Sequence, residues 1–351
     1  MTRLCFLLAA SVALFASIGL AQEGSSSGPY HILRTAKVGG AGGFDYVYAD
    51  SAGRRLYIAR RDPASRMTIF NLDTLQPAGE FSITGNAAHG AAVDPKSHHG
   101  FGSSKPVVMW DTMTLMPIKT IPVEGNPDGI TFEPLTERVY VFSHVPPYAT
   151  VINAADGTIA GTIDLGGMPE QAVSDNKGHL YVDIEDKANV AVVDVKTLTV
   201  TAHYDLEGKG GTCAGLAFDA KNRILFAACR DPQNMVVLNA DSGKILASLP
   251  IGMGTDGAVF NPATMEAFSS QGDGTLTIIK ENSPTSFVVE QNLMTKVSGR
   301  TLTFDPKTNH LFVIAADFMP APAPPAGGTA GGRGGRGPMV PDSFSILEIG
   351  K

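Results

Sequence analysis

The sequence predicts an all-β fold, a seven-bladed β-propeller of four-stranded blades, and three observations carry that reading. An acidic or amide residue closes the first strand of each of seven units: Asp50, Asp94, Glu133, Asp175, Asp219, Asn261 and Asp305. By subtraction these lie 39 to 44 residues apart, which is the length of one four-stranded blade. Second strands then align as RLYIARR (55–61), RVYVFSH (138–144), HLYVDIE (179–185), ILFAACR (224–230) and HLFVIAA (310–316). Third strands follow as MTIFNLDT, TVINAADG, VAVVDVKT, MVVLNADS and LTIIKENS. Every run is short, rich in β-branched and aromatic residues, and bounded by Asp, Asn, Pro or Gly, which suits strands and tight turns.

Taken in order, the chain opens with Arg3 and an apolar run, Leu4 to Leu20, ending in Gly19-Leu20-Ala21 before Gln22. A positive end, an apolar middle and a small-x-small end predict a signal peptide over 1–21. The run is short for an anchor, so no membrane span is expected after cleavage. The expected location is periplasmic or secreted. Residues 22–28 read as a linker, and GSSSG within them matches a hydrolase nucleophile pattern without the strand and helix that pattern needs. The propeller then occupies 29–351. Tyr30 to Val38 (YHILRTAKV) resembles the fourth strands TIPV and TIDL of later units, while the seventh unit, with strands near Arg300 to Asp305, His310 to Ala316 and Phe344 to Ile349, lacks a fourth. The N-terminal strand is therefore expected to complete the last blade and hide its edge. Deleting 29–38 should lower thermal stability sharply. A Pro/Gly-rich stretch over 319–341 reads as a mobile loop inserted in that blade; its Gly332, Gly334 and Gly337 lie outside any strand-to-helix setting.

The "RLYIA", "RVYVF" and "HLYVD" strands, each followed by a V-V-D/N-x-x-T/S-G type of turn, resemble the YVTN family of seven-bladed propeller repeats, found in extracytoplasmic bacterial and archaeal proteins. The resemblance covers nearly all of the chain after residue 21. It implies the fold directly and a function only loosely, since the scaffold hosts binding proteins and enzymes alike.

Composition agrees with a single large core: 43% hydrophobic, only 17% charged, with 39 Gly and 23 Pro for turns in 351 residues. The formal net charge of -7 argues against nucleic-acid binding, which draws on clustered Lys and Arg. The two RGG triplets at Arg333 and Arg336 read as part of the solvated loop. Export leaves Cys213 and Cys229, at the start of the first and the end of the second strand of the fifth unit. A hairpin turning at 220–222 sets them opposite each other, either as a disulfide, as an oxidising compartment favours, or as two buried thiols.

Chemistry has to come from residues that the fold assembles. Counting five back from each strand-closing residue gives Asp45, His89, Asp128, Glu170, Ala214, Asp256 and Arg300, where each innermost strand enters the central channel. The loops after the second strands open on the same face, so Arg61, Lys105, His144, Glu185 and Arg230 should surround that ring. This mouth is the candidate ligand site. The opposing reading is that Asp128 in PDG and Asp256 in TDG cap turns at a wet rim. If the ring is instead a binding site of exposed charges, replacing Asp128, Glu170 and Asp256 together with Ala should leave the fold largely intact and abolish binding, whereas unfolding would mark the acids as turn caps. No cofactor is required, but the carboxylates of Asp45, Asp128, Glu170 and Asp256 offer a set for a divalent cation such as Ca²⁺. The leading expectation is a non-catalytic binding or scaffold protein of the cell envelope, monomeric, taking a small polar ligand or a partner protein. The alternative is a metal-assisted lactonase or lyase in which His89 or His144 moves a proton.

Overall fold

The computed structural model describes residues 27–61, 64–86, 88–320 and 337–351; the expected signal peptide, most of the linker and 321–336 of the Pro/Gly-rich stretch lie outside them. Seven antiparallel sheets of four strands form the blades. Six are read straight along the chain: blade 1 (44–82), blade 2 (91–121), blade 3 (127–163), blade 4 (169–205), blade 5 (213–250) and blade 6 (255–294). Blade 7 joins Thr301–Asp305, His310–Ala315 and Ser345–Gly350 to the N-terminal strand His31–Lys37, which pairs antiparallel with Ser345–Gly350. Among the described residues the helical structure is one short 3₁₀ turn, Glu185–Lys187.

The residues that marked the repeat are buried turn anchors. Asp94, Asp219 and Asp305 accept backbone N–H bonds from residues two or three further on, and Glu133, Asp175 and Asn261 do the same. Each bends the chain from first to second strand, because a short carboxylate or amide mimics the missing backbone acceptor. The core lies between blades. One cluster, for example, packs Tyr140, Phe142 and Val151 of blade 3 against Leu180, Val182 and Val193 of blade 4.

The residues around the closing strand pair are tied to both neighbouring blades. The Tyr30 hydroxyl donates to Glu266 of blade 6, and its backbone exchanges two hydrogen bonds with the Gln291 amide. Lys351 donates to the same Glu266 at 2.8 Å. On the other side Arg34 pairs with Glu348 at 2.6 Å and donates to the carbonyls of Asp73 and Thr74 in blade 1.

The innermost strands carry a feature that the repeat pattern hides. In blade 1 Phe44 pairs with Arg60 and Val47 with Ile58, so Asp45 and Tyr46 face the single residue Ala59. The same bulge occurs at Asp128–Gly129, Glu170–Gln171 and Asp256–Gly257, and a related slip leaves Ala214 as the extra residue of blade 5. A bulge bends a strand and re-aims a side chain. Here it falls at the channel-entry position in five of the seven blades.

That slip corrects the register expected for the cysteines. Asp219 pairs with Ile224, one residue beyond the simple hairpin count, and the extra Ala214 restores Cys213 opposite Cys229. The two cysteines are joined in a disulfide.

Candidate functional site

The bulged strands bring the predicted ring together at one mouth of the central channel. His89 Nδ1 lies 2.8 Å from both Asp45 Oδ2 and Asp128 Oδ1. Asp128 Oδ2 is 3.0 Å from His144 Nε2, which is 3.7 Å from Glu170 Oε1. On the other side of Asp45, Arg61 contacts Oδ2 at 2.8 Å and Arg300 contacts Oδ1 at 3.2 Å. Arg300 continues to Asp256 at 2.9 Å, Asp256 pairs with Arg230, and Arg230 reaches Glu185 at 2.7 Å. Ten of the eleven expected side chains thus form one connected arc. Lys105 is the exception: its ammonium donates to the Gly125 carbonyl at 2.7 Å.

Asp128 and Asp256 are therefore held by side chains, His89 and His144 in one case and Arg230 and Arg300 in the other, rather than serving as turn caps. The expectation of a wet rim is also corrected, since Asp45, Glu170 and Asp256 are 7%, 3% and 4% exposed. Bulging turns these side chains inward, beneath the loops that follow the second strands. The triple Ala variant would consequently leave half-buried Arg230 and Arg300 with one carboxylate partner each, Glu185 and Asp45, a change that destabilises rather than spares the fold.

Burial and crowding set the protonation pattern. For His89 burial opposes the charge, yet the hydrogen bonds to Asp128 and Asp45 outweigh it and push its pKa up to about 9. Asp128 is the reverse: burial favours its neutral form, and the bonds from His144 and His89 still hold it below the usual carboxylate range. Glu170 is pushed well up by burial and by the charges of Asp256 and Asp128. Asp256 is raised too, by burial, against the pull of Arg300. The arc thus crowds carboxyls whose pKa values are pushed in opposite directions, Asp128 down and Glu170 and Asp256 up.

Two residues that the counting missed complete the site. The Tyr46 hydroxyl donates to Glu170 Oε2 at 2.8 Å, and burial with the Glu170 charge raises its own pKa well above the usual phenol value. The Gln171 amide accepts from the backbone N–H groups of Leu216 and Ala258 and donates to the Ala258 carbonyl, stapling blade 4 to blades 5 and 6. Both are the second residue of a bulge. Elsewhere that position is Gly129, Gly215 or Gly257, where neighbouring strands approach too closely for a side chain: a Cβ on Gly215 would lie 2.6 Å from the Gly257 carbonyl carbon. A large residue replacing this glycine was the signal available in the sequence.

Beneath the arc is a cavity of about 210 Å³ lined by Tyr46, Tyr48, Ile130, Glu170, Asp256 and Leu302, among others. Its acidic end faces the mouth and its apolar end runs down the channel.

This architecture is shared with solved structures of low sequence identity. "Structure of U3-55K" is 11% identical with a TM-score of 0.71, over 91% of this chain and 98% of that one. "Crystal structure of RRP9 WD40 repeats" is 11% identical with a TM-score of 0.72, over 92% and 99%. The chain thus has the fold of a seven-bladed β-propeller. No protein-family model matches it, and no curated protein matches it in sequence. Among the described residues no helix is long and apolar enough to cross a membrane.

Proposed function

We propose that the protein is an exported, YVTN-like binding propeller whose mouth takes a small polar ligand without transforming it. The observation that carries this reading is the connected arc from Arg61 through Asp45, His89, Asp128 and His144 to Glu170, and from Arg300 through Asp256 to Arg230, over a cavity of about 210 Å³. Groups held by two or more partners are pre-oriented, so a ligand offering both donors and acceptors binds them at little reorganisation cost. The volume suits a molecule of few heavy atoms rather than an inserted protein segment. The Cys213–Cys229 disulfide supports a periplasmic or secreted location, since reducing compartments keep such pairs open.

The test is native mass spectrometry of protein purified from the periplasm, beside the same measurement on Asp256→Asn/Arg300→Gln. That pair removes opposite charges together and leaves the arc balanced. Wild-type protein should carry a small molecule that the variant lacks. Retention of the same molecule by the variant would place the site elsewhere. A metal-assisted lactonase or lyase is the second reading, favoured by the approach of Asp128, His144 and Glu170 to one another, and it requires a bound cation.

A further inference from the structure

The geometry points to a site for a divalent first-row transition metal held by Asp128 Oδ2, His144 Nε2 and Glu170 Oε1. Two groups of mixed carboxylate and imidazole ligands meet at Asp128, one with Asp45 and His89, the other with His144 and Glu170. Their spacing separates them. Ligand N and O atoms ~2.0 to 2.2 Å from a tetrahedral ion stand ~3.3 to 3.6 Å apart. In the second group His144 Nε2 is hydrogen-bonded to Asp128 Oδ2 at 3.0 Å but stands 3.7 Å from Glu170 Oε1, so an ion would have to spread one contact by a few tenths of an ångström. In the first, both contacts of His89 Nδ1 are 2.8 Å, hydrogen-bond distances that an ion would have to spread.

The outer oxygens tell the same story independently. Tyr46 donates to Glu170 Oε2, leaving Oε1 turned toward His144. His89 sits on Asp128 Oδ1, leaving Oδ2 turned toward His144. Each carboxylate thus has its non-ligating oxygen held in place, the arrangement that orients and tunes metal ligands. Glu170, 3% exposed, also lines the cavity, so a fourth coordination position opens there for water or a ligand. One imidazole with two carboxylates suits Zn²⁺ or Mn²⁺; Ca²⁺ would look for six to eight oxygens. The inference shares the mouth with the proposed binding function and rests on that face being a binding site, whichever polar ligand it takes.

The experiment is Zn²⁺ titration calorimetry and elemental analysis on untagged full-length protein dialysed against chelator, with Co²⁺ as a spectroscopic substitute. Wild type should take up one Zn²⁺ per chain and give the strong visible bands of tetrahedral Co²⁺. His144→Ala and Glu170→Gln should lose both signals, while His89→Gln, which only orients Asp128, should weaken Zn²⁺ by ~10- to 100-fold. No stoichiometric uptake by wild type, or full uptake by His144→Ala, overturns the site. If His144→Ala does not fold, the wild-type Co²⁺ spectrum decides, and a weak octahedral spectrum counts against it. Asp256→Asn/Arg300→Gln should keep Zn²⁺, so a lost polar ligand with metal intact, or the converse, tells the two readings apart.

Discussion

Asp183 is fully buried, and neither of its carboxylate oxygens has a hydrogen-bond partner among the described residues. Burial alone pushes its pKa well up, so folding opposes the ionisation of this carboxyl. An unsatisfied buried polar group costs ~1 to 3 kcal/mol, and Val has nearly the same size. Asp183→Val should therefore raise the melting temperature at pH 8; a lower value would mean that the carboxyl has a role the packing does not reveal. Glu281 is a second case. Burial, together with nearby Asp219, raises its pKa from 4.5 to about 7 despite the hydrogen bond from Asn222. The sign follows from proton uptake: the folded state binds the extra proton, so this contribution is complete below about pH 4.5 and is lost as pH rises to about 7. Glu281→Gln should lose less stability than wild type between pH 5 and 8 in parallel thermal melts. Identical pH dependence would show that burial beside Asp219 does not raise the Glu281 pKa.

At the scale of strands and turns, the Tyr30 hydroxyl and Lys351 converge on buried Glu266, so one side chain ties together the two sides of the blade 7 closure. Tyr30→Phe leaves that carboxylate short of a donor and should cost ~1 to 3 kcal/mol in denaturant unfolding; no measurable change would remove Tyr30 from the closure. The disulfide, closing a loop with a sequence separation of 16, should contribute about 3 kcal/mol. Cys213→Ala/Cys229→Ala measured against oxidised wild type checks it, and equal stability would refute it. The order of strands was legible because each blade announces its first turn with a buried Asp, Asn or Glu whose chemistry does not depend on distant contacts. The closing strand was legible because a fourth strand was missing where a spare one was available. The bulges were not: an extra residue changes no composition, only which of two neighbours faces the partner strand. The hairpin count at Cys213 reached the right pair because the slip at Asp219 and the slip at Ala214 cancel.

For the whole molecule, position along the repeat was enough to name Asp45, His89, Asp128, Glu170, Asp256 and Arg300, because propeller geometry sends the start of every inner strand to one mouth. Their burial and pairing were not legible, since these depend on how five bulges and the loops and strands around them converge, and Tyr46 and Gln171 went unnoticed for the same reason. The deletion of 29–38 belongs at this scale. It removes a strand of blade 7 and the ties to blades 6 and 1 at once, so the melting transition should fall sharply, and an unchanged one would refute closure by this strand. The closure also has a meaning in time. His31–Lys37 is made early and its partner Ser345–Gly350 last, and at ~5 to 20 residues per second roughly 15 to 60 seconds of synthesis separate them. The earliest strand must wait, unpaired, until Ser345–Gly350 has been made, so the ring stays open through most of the propeller's synthesis.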